Sequence, residues 1–363
     1  MREMDKKLKV VVMPLEARVA ALAQLGQVMR AVGGRRTWQD HALGLNKEEY
    51  AQLEELVQRA QSVNGWATEE NVRHAMKAWG ATLSAEAINN WVAAYPALSK
   101  AGDKAVTVGL LLAGNIPLVG LHDVICVWLS GHRATVKCSS QDPELIPALI
   151  TVLDRFAPGA EDQITFTDEK WGAVDAMIAT GSNNSARYFE YYFGHLPNVV
   201  RKSRVSVAIL DGTETEADLA ALSEDILRYF GLGCRNVSKL YLPQDFVLDR
   251  LFEAFFPWSA IANNNKYANN YDYTRAIWLL DKVEFLDNGF LLLKEDEAIT
   301  SPVGTVFYER YSDRADVEKK IAENADRIQC VVGKKHLSFG ATQQPGLSDY
   351  ADGVDTMKFL LEL

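Results

Sequence analysis

The sequence predicts an α/β protein built on a parallel sheet, with a second α/β unit following the first. Residues 106–112 form a continuous apolar run, the pattern of a strand covered on both faces. Strand-like and helix-like stretches then alternate as far as Phe193, as in a parallel sheet with crossover helices. At 205–210 the alternation starts again. Residues 1–205 and 206–335 are therefore expected to form two units. Residues 336–363 are expected to return to the first unit or to a partner subunit.

Helices dominate before the sheet. Over 16–33, Val19, Leu22, Leu25, Val28, Met29 and Val32 recur at helical spacing, and Gly33-Gly34 ends the run. Asn46 suits an N-cap for 47–62, Thr68 opens an acidic helix start, and 84–99 is helix-like. In the sheet region, helices are expected at 118–130, 145–156 and 185–193, and strands at 133–137, 163–167 and 175–180. The second unit reads as a strand at 205–210, an acidic-opened helix at 213–229 and a strand at 239–242. Further strands at 290–294 and 303–309 and a helix at 316–325 follow. Residues 263–273, with five asparagines, read as a polar loop.

Composition narrows the function. The chain has 363 residues, 48% hydrophobic and 24% charged, with a net charge of −10 spread along its length. Nucleic-acid binding needs clustered Lys and Arg, so that partner is not expected. No run reaches about 18 apolar residues, so no membrane span is expected. The four cysteines (126, 138, 234, 330) show no CxxC pair or metal-ligand spacing, and 10–15 is too short for a signal core. These features suggest a cytoplasmic protein with free thiols and no metal. There is no GxGxxG, P-loop, GxSxG or HExxH motif. Asp349, Asp352 and Asp355 are expected to form a solvated face, and the aromatic run 255–258 either core or the wall of a pocket.

Residues that could carry chemistry fall at element ends. Cys234 follows Gly231 and Gly233, between a helix-like stretch and a strand-like one. The glycines permit a sharp turn and leave room beside the sulfur, and a thiolate attacks acyl carbonyls well. Cys126 and Cys330 lie in apolar runs and read as core. Asn115, after the buried strand and a glycine, is either a turn residue or an amide aimed at the oxyanion of a tetrahedral intermediate. Lys137 ends a strand at the sheet's carboxyl edge, where α/β ligands bind, with Ser139 and Ser140 beyond it. It is either a lysine reaching for solvent or a clamp on a ribose or phosphate. Gly181-Ser182 could let a ligand approach closely.

The order Gly-Asn-Ile-Pro (114–117), Thr-Val-Lys-x-Ser (135–139), Thr-Gly-Ser (180–182), Lys-Ser (202–203) and Gly-x-Gly-Cys (231–234) resembles the aldehyde dehydrogenase superfamily. Ser301-Pro302-Val303 looks like its Gly-Pro-Val segment. The phrases at 114–118 and 349–357 resemble its acyl-CoA reductase branch, typified by the fatty-acid reductase of bacterial luminescence. The resemblance covers roughly 105–310 and the tail.

It implies an aldehyde dehydrogenase-like fold, with a parallel-sheet NADP(H)-binding domain and an α/β catalytic domain. It implies catalysis by Cys234 and Asn115, cofactor contacts from Lys137, Ser139, Ser140, Gly181 and Ser182, and an acyl-CoA or acyl-carrier substrate. Oxidising members carry a glutamate base at a position that falls near Asn198, and no Asp or Glu occurs from 191 to 210. NAD-preferring members carry a glutamate where Ser140 stands, so NADPH is expected. The glutamate expected against the nicotinamide ribose aligns with Ala298, beside Glu297. The chain is shorter than most members, implying a reduced oligomerisation element; a homodimer or higher homo-oligomer stays open. Aldehyde oxidation, redox-independent acyl transfer or thioester hydrolysis by Cys234, and a non-catalytic scaffold are the alternatives.

Overall fold

The computed structural model describes residues 13–39, 43–102, 104–169, 171–181, 189 and 191–363. Ser182 and most of the helix expected over 185–193 lie outside the described residues.

Four helices come first: α1 (Leu15–Gly33), α2 (Lys47–Val63), α3 (Glu69–Thr82) and α4 (Ala85–Ala93). The caps read from sequence at Asn46 and Thr68 are present, and the structure adds one at Ser84. Asn46 and Glu49 form a reciprocal capping box, and Thr68 and Ser84 each accept from a backbone N–H three residues on. Leu22, Leu25, Val28 and Met29 make α1 the buried centre of this layer.

The first sheet contains β1 (Thr107–Leu111), β2 (Arg133–Lys137), β3 (Ile164–Phe166), β4 (Ala176–Thr180) and β5 (Asn198–Arg201), in the order β3-β2-β1-β4-β5. All its pairings are parallel. Its connections include α5 (Leu121–Leu129), α6 (Leu145–Phe156) and the short α7 (Ala160–Gln163). Every residue of α5 except His122 is buried, which explains why its sequence is almost free of charge.

The second sheet runs β11-β6-β7-β10-β9-β8. Its strands are β6 (Val205–Ile209), β7 (Val237–Pro243), β8 (Leu286–Asp287), β9 (Leu292–Glu295), β10 (Thr305–Tyr311) and β11 (Ile328–Val332). Only β8 is antiparallel to its neighbour. The helices here are α8 (Glu216–Leu227), α9 (Asp249–Phe255), α10 (Asn265–Leu280) and α11 (Arg314–Glu323), and α12 (Thr356–Leu361) lies near the end of the chain.

The asparagine-rich segment is a helix, not a loop. Asn264 caps α10 by accepting from the backbone N–H groups of Lys266 and Tyr267. Buried Tyr267, Tyr271 and Thr274 stand at i, i+4 and i+7 on its inner face. Asparagine lowers helix propensity only modestly, and this apolar stripe overrides it.

One core joins the helical layer to the first sheet and takes in Leu347, Tyr350, Met357 and Leu360 from the tail. The second sheet has its own core, centred on Leu222, Leu240, Phe255 and Tyr267. Tyr95 donates to Asp355 at 2.9 Å, and Trp91 Nε1 donates to the Tyr350 hydroxyl at 2.8 Å. Tail and first unit are therefore packed and hydrogen-bonded together. Among the described residues, no helix is long and apolar enough to cross a membrane.

Candidate active site

Strand register brings the sequence-selected residues to one edge. Leu111 pairs with Lys137 and with Ala179, and Thr180 pairs with Arg201. The segments after β1, β2, β4 and β5 thus leave the sheet at the same level, at its carboxyl edge. Gly114 packs tightly there: a Cβ on it would lie 2.6 Å from Ser139 Cβ. Only glycine allows the Asn115 segment to lie against the one after β2.

The cysteine loop meets this edge from the second unit. Beyond α8, Tyr229 and Phe230 have φ of 54° and 60°, and Gly231 follows at 73°. Left-handed backbone at a bulky residue costs of order 1–3 kcal/mol, so the surroundings must hold this turn. Asn236 does so. Its side chain accepts from Gly233 N at 2.8 Å and donates to the carbonyls of Asp225, Ile226 and Arg228 at 3.1, 3.3 and 2.9 Å. A Cβ on Gly233 would come within 3.0 Å of Asn236 Oδ1 and 3.4 Å of Ile116.

Asn115 Nδ2 donates to Leu232 O at 2.7 Å, which joins the two units two residues before the thiol. That bond uses one of the two amide hydrogens. Buried Ser206 donates to Cys234 O and accepts from Cys330 N, each at 3.1 Å, and so fixes the backbone at the thiol.

Cys234 is half-buried and lines a cavity of about 160 Å³. Burial pushes its thiol up to about 11, with Arg235 opposing and Asp352 and Cys330 adding to the rise. Arg235 does not bring the thiol into the neutral range; its Nε donates to Thr342 O in the tail. The cavity wall is mostly apolar. It takes Ala75, Ala78 and Trp79 from α3, Ile116 to Val119 from the loop after β1, and Pro345 and Gly346 from the tail. Buried Arg201 and Asp123, paired with each other, close one part of it.

Lys137 is half-buried at its strand end and donates to Asp168 O at 3.2 Å. Ser139 Oγ accepts from Gln141 N at 3.2 Å, and Ser140 is exposed. Gly181 N donates to Arg201 O at 3.4 Å. Asn198 is an amide tied to the carbonyls of Leu196 and Phe193, at 2.7 and 3.4 Å.

The structure decides two further expectations. The 255–258 run does not wall the cysteine cavity. Phe255 is core, Phe256 is 68% exposed, and Trp258 lies under the Arg228 guanidinium. The tail aspartates are not a solvated face: Asp352 pairs with Arg204 at 3.1 Å and Asp355 caps α12, while Asp349 alone is exposed. The helical first hundred residues, which carry no recognised motif, supply part of the cavity wall. Ala75, Ala78, Trp79 and Thr82 fall at i, i+3, i+4 and i+7, and that stripe was the available signal. Among the described residues, no group of three or more His, Cys, Asp or Glu could hold a metal ion.

No protein-family model matches the chain. Aldehyde dehydrogenase 21 from Physcomitrella patens, solved with its reaction product succinate, superposes with a TM-score of 0.60 at 14% identity, covering 96% of this chain and 87% of that one. The chain has the aldehyde dehydrogenase fold. A Mycobacterium tuberculosis aldehyde dehydrogenase complexed with NAD+ shares this fold, with a TM-score of 0.58 at 14% identity over 86% of this chain and 71% of that one.

Within the aldehyde dehydrogenase fold, the sequence relatives are more particular. The chain is 25% identical over 233 residues to a long-chain acyl-protein thioester reductase of Aliivibrio fischeri, covering 59% of this chain and 48% of the relative. It is 23% identical over 175 residues to a Photobacterium leiognathi protein, long-chain acyl-protein thioester reductase 2, covering 44% and 36%. The matches thus span about half or less of these relatives. Their names agree with the reductase branch that the phrases at 114–118 and 349–357 resemble.

Proposed function

We propose that this chain reduces an acyl thioester to the aldehyde through an acyl-Cys234 intermediate. The observation that carries this reading is the junction of Asn115 with the Cys234 loop beside an apolar cavity. The names of the two sequence relatives support it. So does the stretch around Asn198, near which an oxidising enzyme would hold its base: Asn198 is an amide engaged with backbone carbonyls, and no Asp or Glu occurs from 191 to 210. The cavity's carboxylates offer no obvious replacement. Asp123 is paired with Arg201, and Asp349 accepts from Gly346 N. Slow water attack lets the acyl-cysteine persist.

In this reading the Cys234 thiolate attacks the thioester carbonyl. The developing oxyanion is held by the second Asn115 amide hydrogen and the Cys234 backbone N–H, donors worth on the order of 3 kcal/mol each. Collapse breaks the bond to the leaving thiol, which takes a proton, and leaves the acyl group on sulfur. The apolar wall holds the acyl chain.

The carboxyl edge fits a nicotinamide cofactor. Lys137 has three donors, one of which goes to Asp168 O, and the exposed Ser140 beside it carries no charge to repel a 2′-phosphate. Lys137, Ser139 and Ser140 would hold the ribose or phosphate, and Gly181 would face the ring. When bound, the cofactor supplies a hydride. The chain's own task afterwards is to release Cys234 as a thiolate.

The test is a panel of acyl-CoA and acyl-carrier thioesters with NADPH or NADH, following cofactor absorbance and aldehyde together. Aldehyde formed with NADPH, and poorly with NADH, is expected. Thiol release without cofactor consumption would replace the reductase with an acyltransferase or hydrolase. Ala78→Leu should shorten the accepted chain. Its added methylenes enter the cavity, so kcat/KM for long thioesters falls about tenfold or more while short ones are spared. A uniform fall across chain lengths would remove the cavity from acyl recognition.

A further inference from the structure

Helix α10 is apolar on two sides, and its own fold uses one of them. Tyr267, Tyr271, Thr274 and Trp278 stand at i, i+4, i+7 and i+11 on the inner side. The first three are buried, and the Trp278 ring stacks on Phe307 of β10 with centroids 6.3 Å apart. That stripe is enough to seat the helix on the second sheet. The opposite side changes character along its length. Asn269 and Asn270 are exposed in the first half, and Tyr273, Ile277 and Leu280 continue the same line in the second. Tyr273 is 70% exposed and Leu280 77%.

Leu279 and Leu286 enlarge this patch, and both are exposed. Asp287 of β8 accepts from Tyr271 Oη and from Arg275 Nε, which holds β8 against this half of the helix. Leu279 follows one turn after Arg275. The end of the helix is fixed as well: Lys282 has φ of 56°, and Val283 N donates to Trp278 O at 2.9 Å. A surface already rigid loses little freedom when it is covered. Together the five apolar side chains expose on the order of 500 Å², near the upper end of what a monomer leaves uncovered. A standard interface covers about 800 Å² on each partner, a little over half of it apolar, so the patch supplies the apolar share of one.

The rim suits a second copy. Asp272, Asp281 and Glu284 are exposed around the patch together with Arg275 and Lys282. A rim of one sign would repel its own image across a two-fold axis, whereas one of mixed sign can complement itself. That matters for a chain of net charge −10, whose copies otherwise repel. We propose that two copies of this chain associate through the outer side of α10 and the adjoining β8, around a two-fold axis near Ile277. Tyr273, Ile277 and Leu280 of each copy then pack on those of the other where the two helices cross. None of these residues is among those lining the Cys234 cavity, so association leaves the walls of that site alone.

The experiment is sedimentation equilibrium of the full chain, from nanomolar to tens of micromolar, in wild type, Leu280→Lys, Tyr273→Lys and Val354→Lys. Wild type is expected at twice the chain mass. Each patch substitution occurs twice in the pair and should weaken association at least about 100-fold. Both replaced side chains are exposed, so the variants should fold, and either one suffices if the other does not. Val354 is the control. It is 39% exposed in the tail beside β11, at the opposite edge of the sheet from β8, and its variant should stay dimeric. A dimer that survives both patch substitutions, or that is lost as readily in Val354→Lys, overturns the proposal. So does a monomeric wild type; if that monomer co-sediments with phosphatidylcholine vesicles and Leu280→Lys does not, the patch belongs to lipid. Mass is read without thioester or nicotinamide, so the result is independent of the reductase reading.

Discussion

Cys234→Ala is expected to abolish both acylation by thioesters and aldehyde formation, by at least about 10⁴-fold, because in the proposed mechanism its sulfur carries the acyl chain. The substitution removes only the sulfur. The loop is held by backbone and side-chain bonds from Asn236, Asn115 and Ser206, none of which involves the thiol. The variant should therefore fold and melt close to wild type. Intact mass after incubation with thioester gives the direct readout: one acyl group on wild type, none on the variant. Cys126→Ala offers the control. Cys126 is fully buried in α5 and stays protonated, so its loss should cost stability and spare acylation. An acyl adduct that survives on Cys234→Ala would move the nucleophile elsewhere.

Arg201→Met should destabilise the protein by about 3–5 kcal/mol. Arg201 and Asp123 are paired with 5% and 4% of their side chains exposed, and Arg201 also donates to Thr356 in the tail at 2.8 Å. Removing the arginine leaves a carboxylate buried without its counter-charge, which is a larger penalty than the pair's own net contribution. The double variant Arg201→Met with Asp123→Leu should recover most of the loss, since two apolar groups replace two charges. Urea unfolding of the single and double variants distinguishes the cases. A double variant no more stable than the single one would show that the hold on Thr356, not the ion pair, is what Arg201 contributes.

The fold was legible because its signals are local. The apolar run before Asn115, the capping residues Asn46 and Thr68, and the strand ending at Lys137 each appear within a short window. Cys234 and Asn115 stood out for the same reason: both sit beside glycines at element ends. What escaped the sequence depends on distant partners. Asn236 looks like any turn residue until its bonds to four backbone groups are seen. Arg201 looks like part of a basic run, yet Asp123 and Thr356 bury it. The helix at 265–280 was hidden by its asparagines, which face outward and contribute little either way, while Tyr267 and Tyr271 anchor it. His74 meets Tyr229 across 155 positions, a separation at which no local pattern operates.

The cavity beside Cys234 is walled by α3, by the loop after β1 and by residues 343–351 of the tail. During synthesis these parts leave the ribosome in that order, with the nucleophile in the middle and the last wall following it. A nascent chain that has just completed its second sheet has a thiol facing a half-built pocket, and Arg201 without Thr356. The pocket beside the thiol is complete only once residues 343–351 have docked.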